Sequence, residues 1–247
     1  EETDSLPTTA GNYYLENDVT LKSGTNIRED VNICLNGHKI LNPLQDYPTI
    51  TVGEYGYSYK NTVSITDCKS TGKITSANSK LNNAFYVRNK LNIYGGTISG
   101  YNSYRTGGGA VYTVKGAVVN MYGGTITENK AYIGGGVYMY ADSEFNMYGG
   151  LISKNSADYG GGVYLNGGIS RIYGGSIKEN TAKNYGGGIA SAAQLEIKDS
   201  PYISNNKLSD SSVSNITLMN NNNTDGKKNL IISGALTGSP LSVSLCY

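Results

Sequence analysis

The sequence predicts an all-β chain wound as a right-handed parallel β-helix with a coil of about 26 residues. Three observations predict it. The composition carries 33 Gly and 22 Tyr against 2 Phe and no Trp, which favours strands and tight turns over helices. Three short motifs recur at nearly constant steps. Within each repeat the apolar residues alternate with a period of two.

The motifs appear in a fixed order. Gly108-Gly-Ala-Val-Tyr112 returns as Gly134-Gly-Gly-Val-Tyr138, Gly160-Gly-Gly-Val-Tyr164 and Gly186-Gly-Gly-Ile-Ala190. Ile93-Tyr-Gly-Gly96 returns at Met121, Met147 and Ile172. Ile126-x-x-Asn129 returns as Ile152-x-x-Asn155, Ile177-x-x-Asn180 and Ile203-x-x-Asn206. A repeat of three short strands cannot bury its own apolar face, but stacking repeats at ~4.8 Å does so and pairs every backbone ladder. Parallel crossovers are right-handed, which sets the expected hand.

Residues 1–10 read as a linker and 11–247 as one β-helix domain. Regular coils run over 84–206, with less regular capping coils at 11–83 and 207–247. At the N-terminal end Val31/Val63 and Ile33/Ile65 overlay, which brings Cys34 and Cys68 close on neighbouring coils, two positions out of register. A disulfide, a pair of free buried thiols, and a zinc site completed by His38 are the alternatives; the last lacks a fourth ligand. Cys246 has no partner assigned.

The strand period turns Tyr86, Tyr112, Tyr138 and Tyr164 outward as one column, and Tyr94, Tyr122, Tyr148 and Tyr173 as another. Tyrosine offers a flat apolar face and a hydroxyl at low entropic cost, suiting contact with sugars or a partner protein. Stacked tyrosines also stabilise neighbouring strands without any ligand. The Asn column at Asn129, Asn155, Asn180 and Asn206 reads as an inward amide ladder at a bend that tolerates αL. The glycine triplets read as sharp turns, since no Lys-Ser/Thr or helix follows to make a phosphate loop.

Irregular segments on a rigid scaffold are the natural place for binding. Gly53 to Lys60 holds Tyr55, Tyr57 and Tyr59, expected either as a ligand-facing loop or as one folded back on the flank. A second edge, Tyr101, Tyr104 and Arg105 continued by Tyr132, Asp158-Tyr159 and Asn184-Tyr185, mixes aromatic, amide and charged groups.

Catalysis has little to build on. Glu128, Lys154 and Glu179 share a column, and Asp142 and Glu144 share a turn with Lys115 on the preceding coil. Solvated charges explain both sets, and the even repeat does not concentrate polar residues as a catalytic site would. The net charge of +1 supplies no field for nucleic acid. No apolar run reaches the ~18 residues of a membrane span, no cofactor motif occurs, and the chain reads as a trimmed, soluble piece of a longer protein.

Two resemblances rest on these residues. Gly108-Gly-Ala-Val111 resembles the Gly-Gly-Ala element of the chlamydial polymorphic outer-membrane proteins, whose partner motif is Phe-x-x-Asn where this chain has Ile-x-x-Asn. Over nearly its whole length the chain is similar to secreted, repeat-bearing surface proteins of Gram-positive gut bacteria. The likeness is carried by Tyr14 to Leu21, Cys34-Leu-Asn-Gly-His-Lys-Ile40, Ile65-Thr-Asp-Cys68, the Tyr-Gly-Gly-Thr-Ile repeats and Ile231 to Gly238. That likeness implies an extracellular or cell-wall-associated β-helix within a larger adhesin-like protein. The expected role is non-catalytic binding of a glycan or host surface protein. A structural stalk is the first alternative and a polysaccharide lyase or glycosidase the second.

Overall fold

A computed structural model describes residues 5–44, 47–54, 60–77, 82–199, 201–219, 230–233 and 243–246. It contains strands and turns but no helix among the described residues. The strands stack as a parallel β-solenoid with about 26 residues per turn, as the motif steps require.

One coil shows the plan. Val118–Met121 lies in sheet I, Thr125–Thr127 in sheet II, Lys130–Ala131 in sheet III and Val137–Met139 in sheet IV. Among the described residues sheets I and IV have 9 strands each, sheet II has 8 and sheet III has 5. The first described strand of sheet III is Asn102–Ser103. All named pairings within the four sheets are parallel, in the register the motifs set: Val111 on Val137, Val137 on Val163 and Val163 on Ile189. The overlay of Val31 on Val63 and Ile33 on Ile65 is likewise the pairing observed.

Alternation places one side chain in two inside. Ile33, Ile65, Ile93, Met121, Met147, Ile172 and Ile197 form an unbroken inward column in sheet I, each fully buried. Sheet II contributes Ile40, Ile74, Ile98, Ile126, Ile152, Ile177 and Ile203. Each such side chain contributes ~1.5–3 kcal/mol on burial, and stacking supplies the burial that a lone coil cannot.

The amide ladder runs between sheets II and III. Asn129 Nδ2 donates to Asn155 Oδ1 at 3.0 Å, Asn155 to Asn180 at 3.0 Å and Asn180 to Asn206 at 2.9 Å. Each Nδ2 also donates to an isoleucine carbonyl of the preceding coil, Ile126 in the case of Asn155. The αL residue at this corner is not the asparagine, as the sequence suggested, but the one before it. Glu128, Lys154, Glu179 and Asn205 have φ of 57, 54, 58 and 56°. The preceding residue absorbs the bend so that the asparagine can point inward and stay fully bonded.

Between sheets III and IV the chain turns on the glycine triplets. A Cβ at Gly135 would lie 2.3 Å from the Gly161 carbonyl oxygen and 2.6 Å from that of Ser156. No other residue fits between coils at that spacing.

Candidate functional site: the tyrosine corner of sheets III and IV

Three columns of tyrosine run along the solenoid, and their ring geometry differs. At the corner between sheets I and II, Tyr94, Tyr122 and Tyr148 lie face to face, with centroids 4.7 and 5.0 Å apart and planes 7 and 6° apart. Tyr173 continues the column at 5.6 Å but is tilted by 57°, and its hydroxyl donates to Glu196 at 3.3 Å. A ring stacked on both faces exposes only its edge and hydroxyl.

The outward column of sheet IV is arranged otherwise. Tyr86 stacks on Tyr112, but Tyr112 meets Tyr138 and Tyr138 meets Tyr164 at 60° each, with centroids 5.3 and 5.6 Å apart. Tyr140 stands against Tyr138 at 74°. Beside this column, Tyr104, Tyr132, Tyr159 and Tyr185 follow sheet III, meeting at 67, 84 and 37°. Edge-on contacts satisfy the ring quadrupoles without one ring covering the whole face of the next.

The glycine turn joins the two columns. The chain folds back so tightly that a Cβ at Gly134 would sit 2.9 Å from Tyr138 Cβ, and one at Gly160 2.8 Å from Tyr164 Cβ. Tyr138 is therefore 7% exposed although the strand period turns it outward. Tyr112 and Tyr164 are half-buried. Desolvation, followed by the neighbouring phenols, raises the pKa of Tyr112. Desolvation first and Tyr159 second raise that of Tyr164, and the Gly134 N–H donates to the Tyr159 carbonyl at 2.8 Å, which ties the two columns together. Polar groups frame the rings. Asn166 Nδ2 donates to Tyr138 Oη at 3.4 Å, and Tyr104 Oη donates to Asp158 Oδ1 at 3.2 Å across two coils. Arg105 is exposed in the turn after Tyr104.

Of the residues expected to face a ligand, Tyr104, Tyr112, Tyr132 and Tyr164 reach this corner at least partly open. Tyr138 is its floor. Tyr101 is a correction: it is 1% exposed and its hydroxyl lies 2.7 Å from Thr49 Oγ1. Desolvation pushes its phenol well above the ordinary range. The reason is positional, because Ile98-x-x-Tyr101 repeats the spacing of Ile126-x-x-Asn129, so Tyr101 takes the inward ladder position at the start of the regular coils. Asn129 Oδ1 accepts its backbone N–H. Tyr55, Tyr57 and Tyr59 lie outside the described residues.

An outward asparagine row on sheet I was not anticipated. Asn146 Nδ2 donates to Asn120 Oδ1 and Asn120 Nδ2 to Asn92 Oδ1, each at 2.9 Å. The signal was the Asn-x-Tyr spacing that precedes each stacked tyrosine.

The charged sets are surface features. Glu128, Lys154 and Glu179 are exposed at their αL turn. Lys115 and Asp142 form an exposed ion pair at 3.2 Å. A groove of about 560 Å³ is lined by Ala10 and by Arg28, Glu29, Asp30, Glu54, Asn61 and Asn89. Several of those groups bond within the protein: Arg28 to Glu54 at 2.8 Å, Glu29 to the Ala10 N–H and Asp30 to the Thr62 N–H. Among the described residues no three His, Cys, Asp or Glu side chains converge as a metal site, and His38 faces Asp18 at 3.6 Å.

Set beside protein-family models, curated proteins and solved structures, the chain matches none.

Proposed function

We propose that this β-solenoid is a non-catalytic binding module of an extracellular bacterial protein, engaging a glycan or a host surface protein at the tyrosine corner of sheets III and IV. The observation that carries the reading is the convergence of two edge-packed tyrosine columns at one corner, with Tyr104 and Tyr132 exposed, Tyr112 and Tyr164 half-buried, and amide and carboxylate groups at their margin. A sugar ring or an apolar side chain needs an open aromatic face, and a nearby hydrogen-bonding group fixes its orientation.

The stacked column between sheets I and II supports a second reading, a stalk, because its rings are spent on each other and stiffen successive coils. One experiment separates the two. Immobilised host and microbial glycans and host surface proteins are probed with the intact chain, with Tyr159→Ser/Tyr164→Ser, and with Tyr122→Ser/Tyr148→Ser. A third variant, with Tyr55, Tyr57 and Tyr59 replaced by Ser, isolates the loop. Saturable binding lost only in the first variant supports the corner. Equal binding by the first variant and the intact chain moves the site elsewhere, and a flat response throughout leaves the stalk.

A further inference from the structure

Cys34 ends a strand of sheet I and pairs in register with Thr66 of the next coil, so Cys68 stands two residues further along. That offset does not separate the sulfurs, because the chain turns after Thr66. Asp67 holds this turn: its Oδ1 accepts the Gly37 N–H at 2.8 Å and its Oδ2 the Gly72 N–H at 2.7 Å. One carboxylate thus ties the loop after Cys34 to the loop carrying Cys68. Cys34 Sγ and Cys68 Sγ lie 2.7 Å apart as free thiols, with Cys34 half-buried and Cys68 exposed.

We infer that Cys34 and Cys68 form a disulfide that staples two neighbouring N-terminal coils when the protein meets an oxidising thiol–disulfide environment. The sulfurs are already in contact, Cys68 is open to solvent, and Asp67 fixes the approach. The neighbouring groups also assist. Burial opposes ionisation of Cys34, but hydrogen bonds with Cys68, Thr66 and the Asn36 backbone outweigh it and hold its pKa below the ordinary thiol value. Cys68 is pushed up, first by its bond to Cys34.

The chemistry balances by exchange with an external disulfide such as oxidised glutathione. One protein thiolate attacks a sulfur of that disulfide, forming a mixed disulfide and releasing one small thiolate. The second protein thiolate then attacks the protein sulfur of the mixed bond and expels the other small thiolate. Two protein S–H bonds are lost, one S–S bond forms, and the external disulfide becomes two thiols. The bond spans 34 residues of sequence, enough for the closed loop to restrict the unfolded chain appreciably. It joins two coils whose strands are already paired in sheet I, next to the first strand of that sheet.

The test is peptide mapping of the full chain after incubation with excess oxidised glutathione and blocking of residual thiols. Trypsin releases Cys34 in Glu29–Lys39 and Cys68 in Asn61–Lys69. The expected product is these two peptides joined, separating on reduction, with the Cys246 peptide joined to neither. Recovery of Cys34 and Cys68 as free thiols, as glutathione adducts or as intermolecular dimers would overturn the inference. In Cys68→Ser, Cys34 is expected to accumulate one glutathione, whereas Cys34 of the intact chain holds none. Asp67→Ala, measured by quenched mapping, is expected to close the bond at least severalfold more slowly. The oxidised chain should melt on the order of 5–10 °C above the reduced one. A joined pair with no shift in melting would overturn the stapling role.

Discussion

The two tyrosine corners are built from the same residue at the same coil spacing, yet they do different things with it. Between sheets I and II a two-glycine turn follows each tyrosine, after Tyr122 and Tyr148 packing on the tyrosine carbonyl of the preceding coil, and the rings of Tyr94, Tyr122 and Tyr148 align within 7°. Between sheets III and IV the glycine triplet folds the chain onto the tyrosine that follows, and the rings meet at 60° or more from Tyr112 through Tyr164. Column regularity alone therefore does not make a binding stripe. The turn beside it sets whether the rings meet face to face or edge on.

The largest effect should come from destroying the tighter turn. Gly135→Ala places a methyl 2.3 Å from the Gly161 oxygen and 2.7 Å from the Ser156 nitrogen, both backbone atoms that cannot swing away. A loss of at least ~3 kcal/mol is expected, read as a lower denaturant midpoint or failure to fold. Gly116→Ala is the control. Nothing lies within 4 Å of its Cβ position and only its φ of +78° is strained, so about 1 kcal/mol is expected. Equal losses at the two sites would mean that the coils yield around the added methyl, so that close approach does not set the need for glycine at 135.

Next in size is the tyrosine itself. Tyr138 is 7% exposed and touches Tyr112, Tyr140 and Tyr164, whereas Tyr122 is 42% exposed. Tyr138→Ser should cost ~2–4 kcal/mol and Tyr122→Ser about 1 kcal/mol, measured by urea unfolding. The reverse order would show that the stacked column is the structural one and the corner merely crowded.

The fold was legible in the sequence because solenoid register is a local property. Each motif repeats, each apolar residue alternates, and Ile33 falls on Ile65 by counting alone. Burial at the corner was not legible. Alternation says that Tyr138 points away from the core, but not that the glycine turn of its own coil closes over it. Tyr101 misled for the opposite reason, since its ladder position lay in the Ile-x-x spacing but was masked by the change from asparagine to tyrosine.

Alkaline titration reads the same contrast. Desolvation raises the phenols of Tyr101, Tyr112, Tyr138 and Tyr164, so the folded chain holds their protons more tightly than the unfolded chain. Their stabilisation is fully present below pH ~10 and declines as pH rises through the folded values. Tyrosinate absorbance should lag in native protein and jump on unfolding. In Tyr138→Phe/Tyr164→Phe the alkaline loss of stability should be shallower. An unchanged slope would assign the loss to the raised phenols that remain, Tyr101 and Tyr112 first among them.

The smallest effect should come at Arg171, where the outward asparagine row of sheet I ends. Arg171 pairs in register with Asn146 and Glu196. It donates to Asn146 Oδ1 at 3.3 Å, pairs with Glu144, and lies 3.7 Å from Glu196. Arg171→Asn exchanges two partly exposed ion pairs, together worth no more than about 1 kcal/mol after screening, for one further amide bond of similar size. The net change should fall within about 1 kcal/mol, and the variant's stability should depend less on salt. Tyr173 is the sharper readout. It tilts by 57° where its own hydroxyl meets Glu196 and Lys198 lies 6.0 Å from its ring. If the charge cluster around Arg171 causes that tilt, Arg171→Asn should bring Tyr173 toward the parallel stack of Tyr122 and Tyr148, visible as changed aromatic ring shifts in NMR. Unchanged shifts at Tyr173 would trace the tilt to its bond with Glu196 instead.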